Sequence, residues 1–461
     1  MSLVLGIDSS TQSCKALLVE AETGRVVDQG RADHPAGTQV DPREWERALG
    51  RAASGLMERA DAVAVAGQQH GMVALNGRGE PVRRAMLWND TSAAPQAERL
   101  VEELGGPQAC AREIGSVMVA SFTGAKMRWL RDREPRTAEA TSAVLLPHDY
   151  LTWRLRGGSG EYVTDHGDAS GTGYYSTARR ELRGDLAELY LGRAVRLPRV
   201  AEPAEAVGRA PGGALVGAGT GDNMAAALGL DLHPGDVCIS LGTSGVASAV
   251  VEDSVQDGTG MVAGFCDATG RYLPLACTLN GARVLDFAAS TMGVDHAELS
   301  RLALSAQPGA RGVCLLPYLD GERTPNRPRA TGVFRGLTTA TTRADIARAA
   351  VEGLLCSLRD AVLALERATG ERARRLLLIG GAARSEAIRA VAPTIFGLPV
   401  LVPQPAEYVA LGAARQAAWA LAGGEAPPRW DGLESRTYEG EYQAEVVRRY
   451  ARLRDATEGW G

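Results

Sequence analysis

The fold of this chain is decided by a stretch that occurs in two versions, the first of which is LVLGIDSSTQSCKALLV, residues 3–19. Two apolar segments flank a turn of serine and threonine, a pattern that predicts a β-hairpin. The second version is GDVCISLGTSGVASAVV, residues 235–251. Either hairpin alone could be an ordinary polar loop. Because the design recurs in both halves of the chain, it indicates a duplicated domain with two turns that clamp phosphate groups through backbone N–H groups.

Composition narrows the class of protein. The 461 residues are enough for two or three domains, and 55 glycines are typical of a turn-rich α/β enzyme. A formal net charge of −5 argues against a nucleic-acid partner. The chain shows neither a signal peptide nor an apolar run long enough for a membrane span, and its seven cysteines form no CxxC pair. We therefore expect a cytoplasmic protein without a membrane partner, a zinc site or a disulfide framework.

The best candidate for chemistry is an acid in a glycine-dense turn, GAGTGDNM at residues 217–224. Small residues let a backbone approach a ligand closely, and the following AAALGL predicts a helix that begins just past Asp222. A carboxylate in that position can take a proton from a hydroxyl that lies near phosphate groups. The alternative is that Asp222 only caps this helix, because aspartate is a favoured N-cap residue.

Two further segments carry side chains suited to a polyhydroxylated ligand. The strand predicted at residues 63–66 runs into GQQHG, residues 67–71, so that Gln69 and His70 lie at the carboxyl edge of a sheet. Trp88 and Asn89 offer an aromatic face beside a polar group, which suits a sugar. The alternatives are a structural histidine and a buried tryptophan followed by a capping residue.

Nucleotide binding is indicated by the turns and not by an established kinase motif. Neither GxxxxGK[ST] nor the protein-kinase signature set occurs in the chain. In the first hairpin Asp8 can face a metal ion, while Lys15 lies at the far end of the turn. The buried strand predicted before Gly380 and Gly381 is followed by a helix, a common place for a nucleotide, although such joints are widespread.

A longer signature points to a family. The segment GVFRGL at residues 332–337 is followed, after seven residues, by DIARAAVE at residues 345–352. In residue choice and spacing it resembles the C-terminal signature of the FGGY carbohydrate kinases, in the actin-like ATPase superfamily. The likeness covers nearly the whole chain in collinear order. The blocks that resemble the branch acting on D-xylulose, and not the branch acting on glycerol, are GQQHG (67–71), WND (88–90), GDN (221–223), LGTSG (241–245) and GERTP (321–325).

The resemblance implies an α/β fold of two actin-like, ribonuclease H-like domains with a catalytic cleft between them. Residues 1–228 would form the N-terminal, sugar-binding domain, and residues 229–461 would form the C-terminal, ATP-binding domain. ATP and Mg²⁺ are the implied cofactors, and a small-molecule sugar is the implied partner. A homodimer is compatible with this family.

The resemblance also implies roles for individual residues. Asp222 matches the catalytic base, and Asp8 matches the acid associated with the metal ion and the phosphates. The residues matched to the sugar, besides the base, are Gln69, His70, Trp88, Asn89 and Asn223. Those matched to ATP are Thr11, Lys15, Gly242, Thr243, Ser244, Gly245, Gly380, Gly381 and Arg384.

The implied activity is the ATP-dependent phosphorylation of D-xylulose to D-xylulose 5-phosphate. Gln69 departs from the methionine of many members of this branch, which favours a kinase for another ketose or polyol, such as ribulose or arabitol, as the alternative. A second alternative is an actin-like sugar sensor that binds nucleotide without chemistry. The presence of both Asp8 and Asp222 argues against the sensor, because a protein that only binds has no use for a base beside the phosphates.

Overall fold

The computed structural model of the chain describes residues 2–430 and 433–460. The strands, in chain order, are β1 (Leu3–Ser9), β2 (Ser13–Glu20), β3 (Val26–Asp33), β4 (Gln39–Val40), β5 (Ala62–Gly67), β6 (Val73–Leu75), β7 (Ala85–Met86), β8 (Ala143–Leu145), β9 (Val163–Asp165), β10 (Tyr175–Ser176), β11 (Glu181–Leu182), β12 (Arg199–Ala201), β13 (Ala206–Arg209), β14 (Leu215–Gly217), β15 (Thr220–Gly221), β16 (Asp236–Leu241), β17 (Gly245–Ala249), β18 (Val262–Cys266), β19 (Tyr272–Thr278), β20 (Cys314–Leu316), β21 (Val333–Arg335), β22 (Arg375–Ile379), β23 (Val400–Pro403) and β24 (Ser435–Tyr438).

The α-helices are α1 (Pro42–Ala52), α2 (Ala94–Glu103), α3 (Pro107–Ile114), α4 (Thr123–Arg133), α5 (Pro135–Ala140), α6 (Pro147–Leu155), α7 (His166–Ala169), α8 (Gly184–Leu191), α9 (Asp222–Gly229), α10 (Arg283–Met292), α11 (His296–Ser305), α12 (Arg343–Thr369), α13 (Glu386–Phe396), α14 (Tyr408–Ala422) and α15 (Ala444–Ala456). Short 3₁₀ helices span Met57–Arg59, Ala310–Gly312 and Gly381–Arg384.

The first of two compact units, the N-terminal unit, comprises Met1–Leu232, Glu252–Leu273 and Ala406–Gly432. Its sheet has the strand order β13-β14-β5-β1-β2-β3. Antiparallel pairing joins β1 to β2 and β2 to β3, whereas β1, β5 and β14 run parallel. The hairpin predicted at residues 3–19 is therefore confirmed as β1 and β2.

The second unit, the C-terminal unit, comprises His233–Val251, Pro274–Pro405 and Leu433–Gly461. Its sheet contains the strand order β19-β17-β16-β22-β23-β24. Here β16 pairs antiparallel with β17, and β17 with β19, while β16, β22 and β23 run parallel. Each unit thus has a three-stranded antiparallel meander followed by parallel strands in the same spatial order. This agreement confirms the predicted α/β class and the predicted duplication.

The centre of the N-terminal sheet is buried on both faces. Every residue of β1 after Leu3 is buried, and so is every residue of β5. Continuous apolar runs are typical of parallel strands that are covered on both sides. A hydrophobic core joins these strands to α1 and α6 through Trp45 and Tyr150. By contrast, β3 lies at the sheet edge and carries exposed charges, which disfavour pairing with another chain.

Helix α14 packs against β1 and against α9, the helix that begins at Asp222. A Cβ atom on Gly412 would lie 1.8 Å from the carbonyl oxygen of Ala225 in α9. A Cβ atom on Gly6 would lie 2.0 Å from the carbonyl oxygen of Ala410 in α14. These distances leave no room for a side chain, so glycine lets the backbones touch. The alanine-rich helix α14 therefore positions α9.

The longest helix, α12, spans 27 residues of the C-terminal unit. Its first turn has a capping box, in which the Thr342 hydroxyl accepts from the N–H of Asp345 and the Asp345 carboxylate accepts from the N–H of Thr342. Gly370 ends the helix in the left-handed conformation. Within the described part of the chain, no helix is both long and apolar enough to cross a membrane.

Candidate active site

Three parallel strands end in register at one edge of the N-terminal sheet. On β5, Ala66 pairs with Asp8 of β1 and with Thr220 of β15. Beyond these strands the chain continues at the same carboxyl edge with the Ser/Thr turn, with the segment at residues 67–71 and with Asp222. Ligands of open α/β sheets bind at this edge. The sheet therefore brings together segments that the sequence alone could only consider separately.

Asp222 is the first residue of α9. Gly221 is the N-cap and no side chain caps this helix, so the capping hypothesis does not explain Asp222. Its Oδ1 accepts hydrogen bonds from the backbone N–H of Asn223 at 2.9 Å and from Asn223 Nδ2 at 3.2 Å. Although the side chain keeps some exposure, desolvation by the protein around it, reinforced by the charges of Asp8 and Asp168, raises the pKa of Asp222 to about 7. A carboxylate with that pKa is suited to accept a proton at neutral pH.

If Asp222 is the catalytic base, as the family resemblance implies, the reaction rate should depend on pH through it. Because its pKa in the folded protein is raised to about 7, Asp222 would become protonated as the pH falls through neutrality, and not only near the ordinary carboxyl pKa of about 4. At saturating ATP, kcat/KM for the sugar should fall about tenfold per pH unit below about pH 6. An activity that stays constant down to about pH 5 would contradict a base with the raised pKa of Asp222.

Asp8 lies at the end of β1, beside the first turn, and is buried. Its carboxylate accepts a hydrogen bond from the Ser10 hydroxyl, and Lys15 Nζ lies 3.7 Å from its Oδ2. Lys15 also donates to Glu407 at 2.6 Å. Sequence reasoning missed Glu407, because it follows Lys15 by 392 residues and no local pattern marks it. Desolvation is the largest influence on Asp8 and raises its pKa, so a bound cation would stabilise this carboxylate.

A buried cluster of one histidine and three acids adjoins Asp222, and the sequence did not predict it. His148 Nδ1 lies 2.6 Å from Oδ2 of Asp168, which is 20 residues away. Burial opposes a charge on His148, but the carboxylates of Asp149, Asp168 and Asp165 outweigh it and raise the pKa of the imidazole to about 9. The buried imidazolium therefore offsets part of the negative charge next to Asp222.

Two of the residues matched to the sugar, Gln69 and Asn223, lie together. Gln69 is almost fully buried, and its Oε1 accepts a hydrogen bond from Asn223 Nδ2 at 2.8 Å. Its Nε2 has no partner among the residues that the structure describes. A Cβ atom on Gly221 would lie 2.7 Å from Gln69 Cγ, so this glycine lets the amide lie close to the start of α9. The two amides and Asp222 thus form one polar group.

His70 follows Gln69 and adopts a left-handed backbone, with φ of 66°. Its ring stacks on Phe122 with centroids 5.0 Å apart, and the centroid of Phe265 lies 5.7 Å away. Nδ1 lies 2.7 Å from the carbonyl oxygen of Gly171, so this nitrogen carries a proton, because a carbonyl can only accept. The sequence did not reveal that Phe122 and Phe265 pack near the His70 ring, because these residues are far apart in the chain.

Trp88 is tied to the Ser/Thr turn between β1 and β2. Its indole N–H donates to the Thr11 hydroxyl at 2.8 Å, although the side chain is 47% exposed. The alternative of a buried tryptophan is therefore wrong. The neighbouring Asn89 is half-buried, and its Oδ1 has no partner within the described residues. An exposed indole beside an amide is an arrangement that can receive a sugar ring.

In the C-terminal unit the second Ser/Thr turn, Gly242 to Ser244, is exposed between β16 and β17. The N–H of Gly281 donates to the carbonyl oxygen of Thr243 at 3.0 Å and holds the turn in place. Gly245 begins β17 and is buried, and a Cβ atom there would lie 2.4 Å from the Leu358 side chain. The turn therefore presents its backbone to solvent, where phosphate oxygens could reach it.

The predicted joint of strand, two glycines and helix is present in the same unit. Gly380 follows β22 with φ of 94°, and a Cβ atom there would lie 2.6 Å from the carbonyl oxygen of Leu241, next to the second turn. Gly381 begins the 3₁₀ helix in which Arg384 is exposed. The structure thus places Gly380, one of the glycines matched to the nucleotide, beside the second Ser/Thr turn.

Known carbohydrate kinases match the whole chain. The N-terminal domain of the FGGY family of carbohydrate kinases matches residues 3–229, and the C-terminal domain of that family matches residues 237–421. The chain is 48% identical to the xylulose kinase of Streptomyces coelicolor over 448 residues, which cover 93% of this chain and 91% of the other. The crystal structure of xylulose kinase from Bifidobacterium adolescentis is 47% identical and matches with a TM-score of 0.92, over 98% of this chain and 99% of that one. Gluconate kinase from Lactobacillus acidophilus is only 22% identical but reaches a TM-score of 0.90, over 100% of this chain and 99% of that one, so the fold alone does not specify the sugar.

Proposed function

We propose that this chain, which belongs to the FGGY family of carbohydrate kinases, transfers the γ-phosphoryl group of ATP to D-xylulose and forms D-xylulose 5-phosphate. The observation that carries this proposal is Asp222, a carboxylate with its pKa raised to about 7 beside the amides of Gln69 and Asn223. The chain is 48% identical to the xylulose kinase of Streptomyces coelicolor, and this similarity favours D-xylulose over other ketoses.

Phosphoryl transfer depends on positioning and on charge neutralisation more than on covalent chemistry by the protein. Asp222 takes the proton of the primary hydroxyl at C5 while that oxygen bonds to the γ-phosphorus, and the bond from this phosphorus to the β,γ-bridging oxygen breaks. The side chains proposed to hold the sugar are those of Gln69, His70, Trp88, Asn89 and Asn223. Those proposed for ATP and its phosphates are Thr11, Lys15, Gly242, Thr243, Ser244, Gly245, Gly380, Gly381 and Arg384.

Mg²⁺ is the cation that we propose for the phosphates, with Asp8 as its protein ligand. Among the described residues no group of three or more His, Cys, Asp or Glu side chains is arranged to hold a metal ion. Mg²⁺ fits such a site, because it is commonly bound by one or two carboxylates, substrate phosphates and water. A bound ion would neutralise charge on the transferring phosphoryl group.

We propose that the two ligands, sugar and ATP, bind to different parts of the chain. Residues 1–228 are assigned to sugar and residues 229–461 to ATP. The need for ATP favours the cytoplasm as the location of the enzyme. A homodimer remains a prediction, which light scattering after gel filtration can test.

The substrate is tested by ADP release with Mg-ATP and a panel of D-xylulose, D-ribulose, L-ribulose, L-xylulose, D-fructose, glycerol and D-arabitol. We expect kcat/KM for D-xylulose to exceed that of every other compound by at least about tenfold. Preference for another member would retain the kinase but move its specificity, with Gln69 and His70 as the residues responsible. ATP binding with no ADP release for any member would favour the nucleotide-binding sugar sensor.

A further inference from the structure

Lysine is almost absent from this chain. Of its 50 basic residues, only Lys15 and Lys126 are lysines, and all the others are arginines. Lys15 is the residue of the first hairpin that lies 3.7 Å from Asp8. One of the two lysines is therefore already part of the candidate site. Lys126 is the other lysine, and its place in a chain that otherwise uses arginine indicates a position that suits an ammonium group and not a guanidinium.

Lys126 lies in α4, is fully buried, and reaches the backbone of the sugar-binding segment. Its Nζ donates to the carbonyl oxygen of His70 at 2.7 Å and to that of Ser121 at 2.6 Å. The Thr123 hydroxyl, at the start of the same helix, donates to the His70 carbonyl at 3.2 Å. Two donors from α4 therefore converge on the carbonyl group of one residue matched to the sugar.

His70 needs such support because its backbone conformation is unfavourable. Its φ of 66° lies in the left-handed region, which is costly for a residue other than glycine. At its other end the ring is fixed by Gly171, whose carbonyl accepts from Nδ1 at 2.7 Å. A Cβ atom at position 171 would lie 2.5 Å from Nδ1 and would displace the ring. The carbonyl group of His70 is thus held by α4, and its imidazole is held by Gly171.

A guanidinium is poorly suited to the place of the Lys126 ammonium. Arginine presents five donors in a planar fork and always keeps its charge, whereas the ammonium is compact and can lose a proton. Burial, opposed by the attraction of Asp90, lowers the pKa of Lys126 to about 7. Either protonation state of this nitrogen has enough N–H bonds for the two carbonyl groups that it contacts.

We propose that Lys126 is a positioning residue of the sugar site, which holds the His70 carbonyl and thereby orients the imidazole toward the bound sugar. The inference rests on the proposed sugar-kinase function and adds to it a residue that does not touch the substrate. Loss of the amine should weaken sugar binding in the ground state and in the transition state alike. The expected signature is therefore a change in KM for the sugar and not in kcat.

The variant Lys126→Met keeps the apolar stem and removes the N–H donors. We expect its KM for D-xylulose to rise about tenfold, while kcat and the KM for ATP change less than about twofold. Lys126→Gln, whose amide can donate to one or both carbonyl groups, should recover part of the loss. Arg128→Met is the matched control, because Arg128 lies on the same helix but pairs with Glu103 at 2.6 Å, and all three constants should remain unchanged.

A double-mutant cycle tests whether Lys126 acts through His70. The sugar KM of Lys126→Met combined with His70→Ala should equal that of His70→Ala alone. Additive losses in the double variant, or a wild-type sugar KM in Lys126→Met, would overturn the proposal. If Lys126→Met does not fold, as judged by circular dichroism, Lys126→Gln takes its place in the same cycle with the same criteria. A wild-type protein that phosphorylates no sugar would instead refute the proposed function, so the two failures are distinguishable.

Discussion

Replacing Asp222 with asparagine should abolish phosphoryl transfer while both ligands still bind. The amide has the shape of the carboxylate but cannot accept the proton of the attacking hydroxyl, and positioned general bases contribute roughly a hundredfold to ten-thousandfold to rates. We expect kcat, measured as ADP release with D-xylulose, to fall by about a thousandfold. The dissociation constants of ATP and of the sugar, measured by calorimetry, should change less than about threefold.

Two controls accompany this prediction. Asp28→Asn removes a carboxylate on the exposed edge strand, where Asp28 pairs with Arg59 at 2.6 Å, and should retain the wild-type kcat. Asp222→Asn itself should unfold at no lower temperature than the wild type, because it removes a partly buried charge that Asp8 and Asp168 repel. Turnover close to the wild-type rate in a folded Asp222→Asn protein would mean that another group accepts the proton.

The second large effect is expected from Gly412→Ala in α14. Its methyl group would lie 1.8 Å from the carbonyl oxygen of Ala225, and a backbone atom cannot yield as a flexible side chain can. The two helices must therefore separate, at a cost of about 3 kcal/mol in the free energy of unfolding. Because α9 begins at Asp222, kcat should fall together with the thermal midpoint of unfolding.

Gly50→Ala provides a matched control for the glycine substitution. Gly50 lies within α1, and a Cβ atom there would meet nothing within 4 Å. Alanine is the better helix former by about 1 kcal/mol, so this variant should be slightly more stable than the wild type and equally active. The thermal midpoints of unfolding are measured by circular dichroism. Equal midpoints for Gly412→Ala and Gly50→Ala would contradict direct backbone contact between α14 and α9.

The sequence by itself determined the local structure and the types of polar group at the sheet edge. The hairpins at residues 3–19 and 235–251 were predictable, because an apolar segment, a small polar turn and a second apolar segment form a local pattern. The position of Asp222 at a helix start was also evident, but a cap and a base remained equally compatible with the residues around it.

Only the tertiary structure decided the electrostatic state of these groups. The pKa of Asp222 is raised to about 7 because the protein around it excludes water and because Asp8 and Asp168 lie nearby. Lys15 meets Glu407 across 392 residues of chain, and Lys126 meets the carbonyl of His70 across 56. Desolvation and Coulomb interaction depend on which atoms are close in space, and the order of residues along a chain does not specify those neighbours.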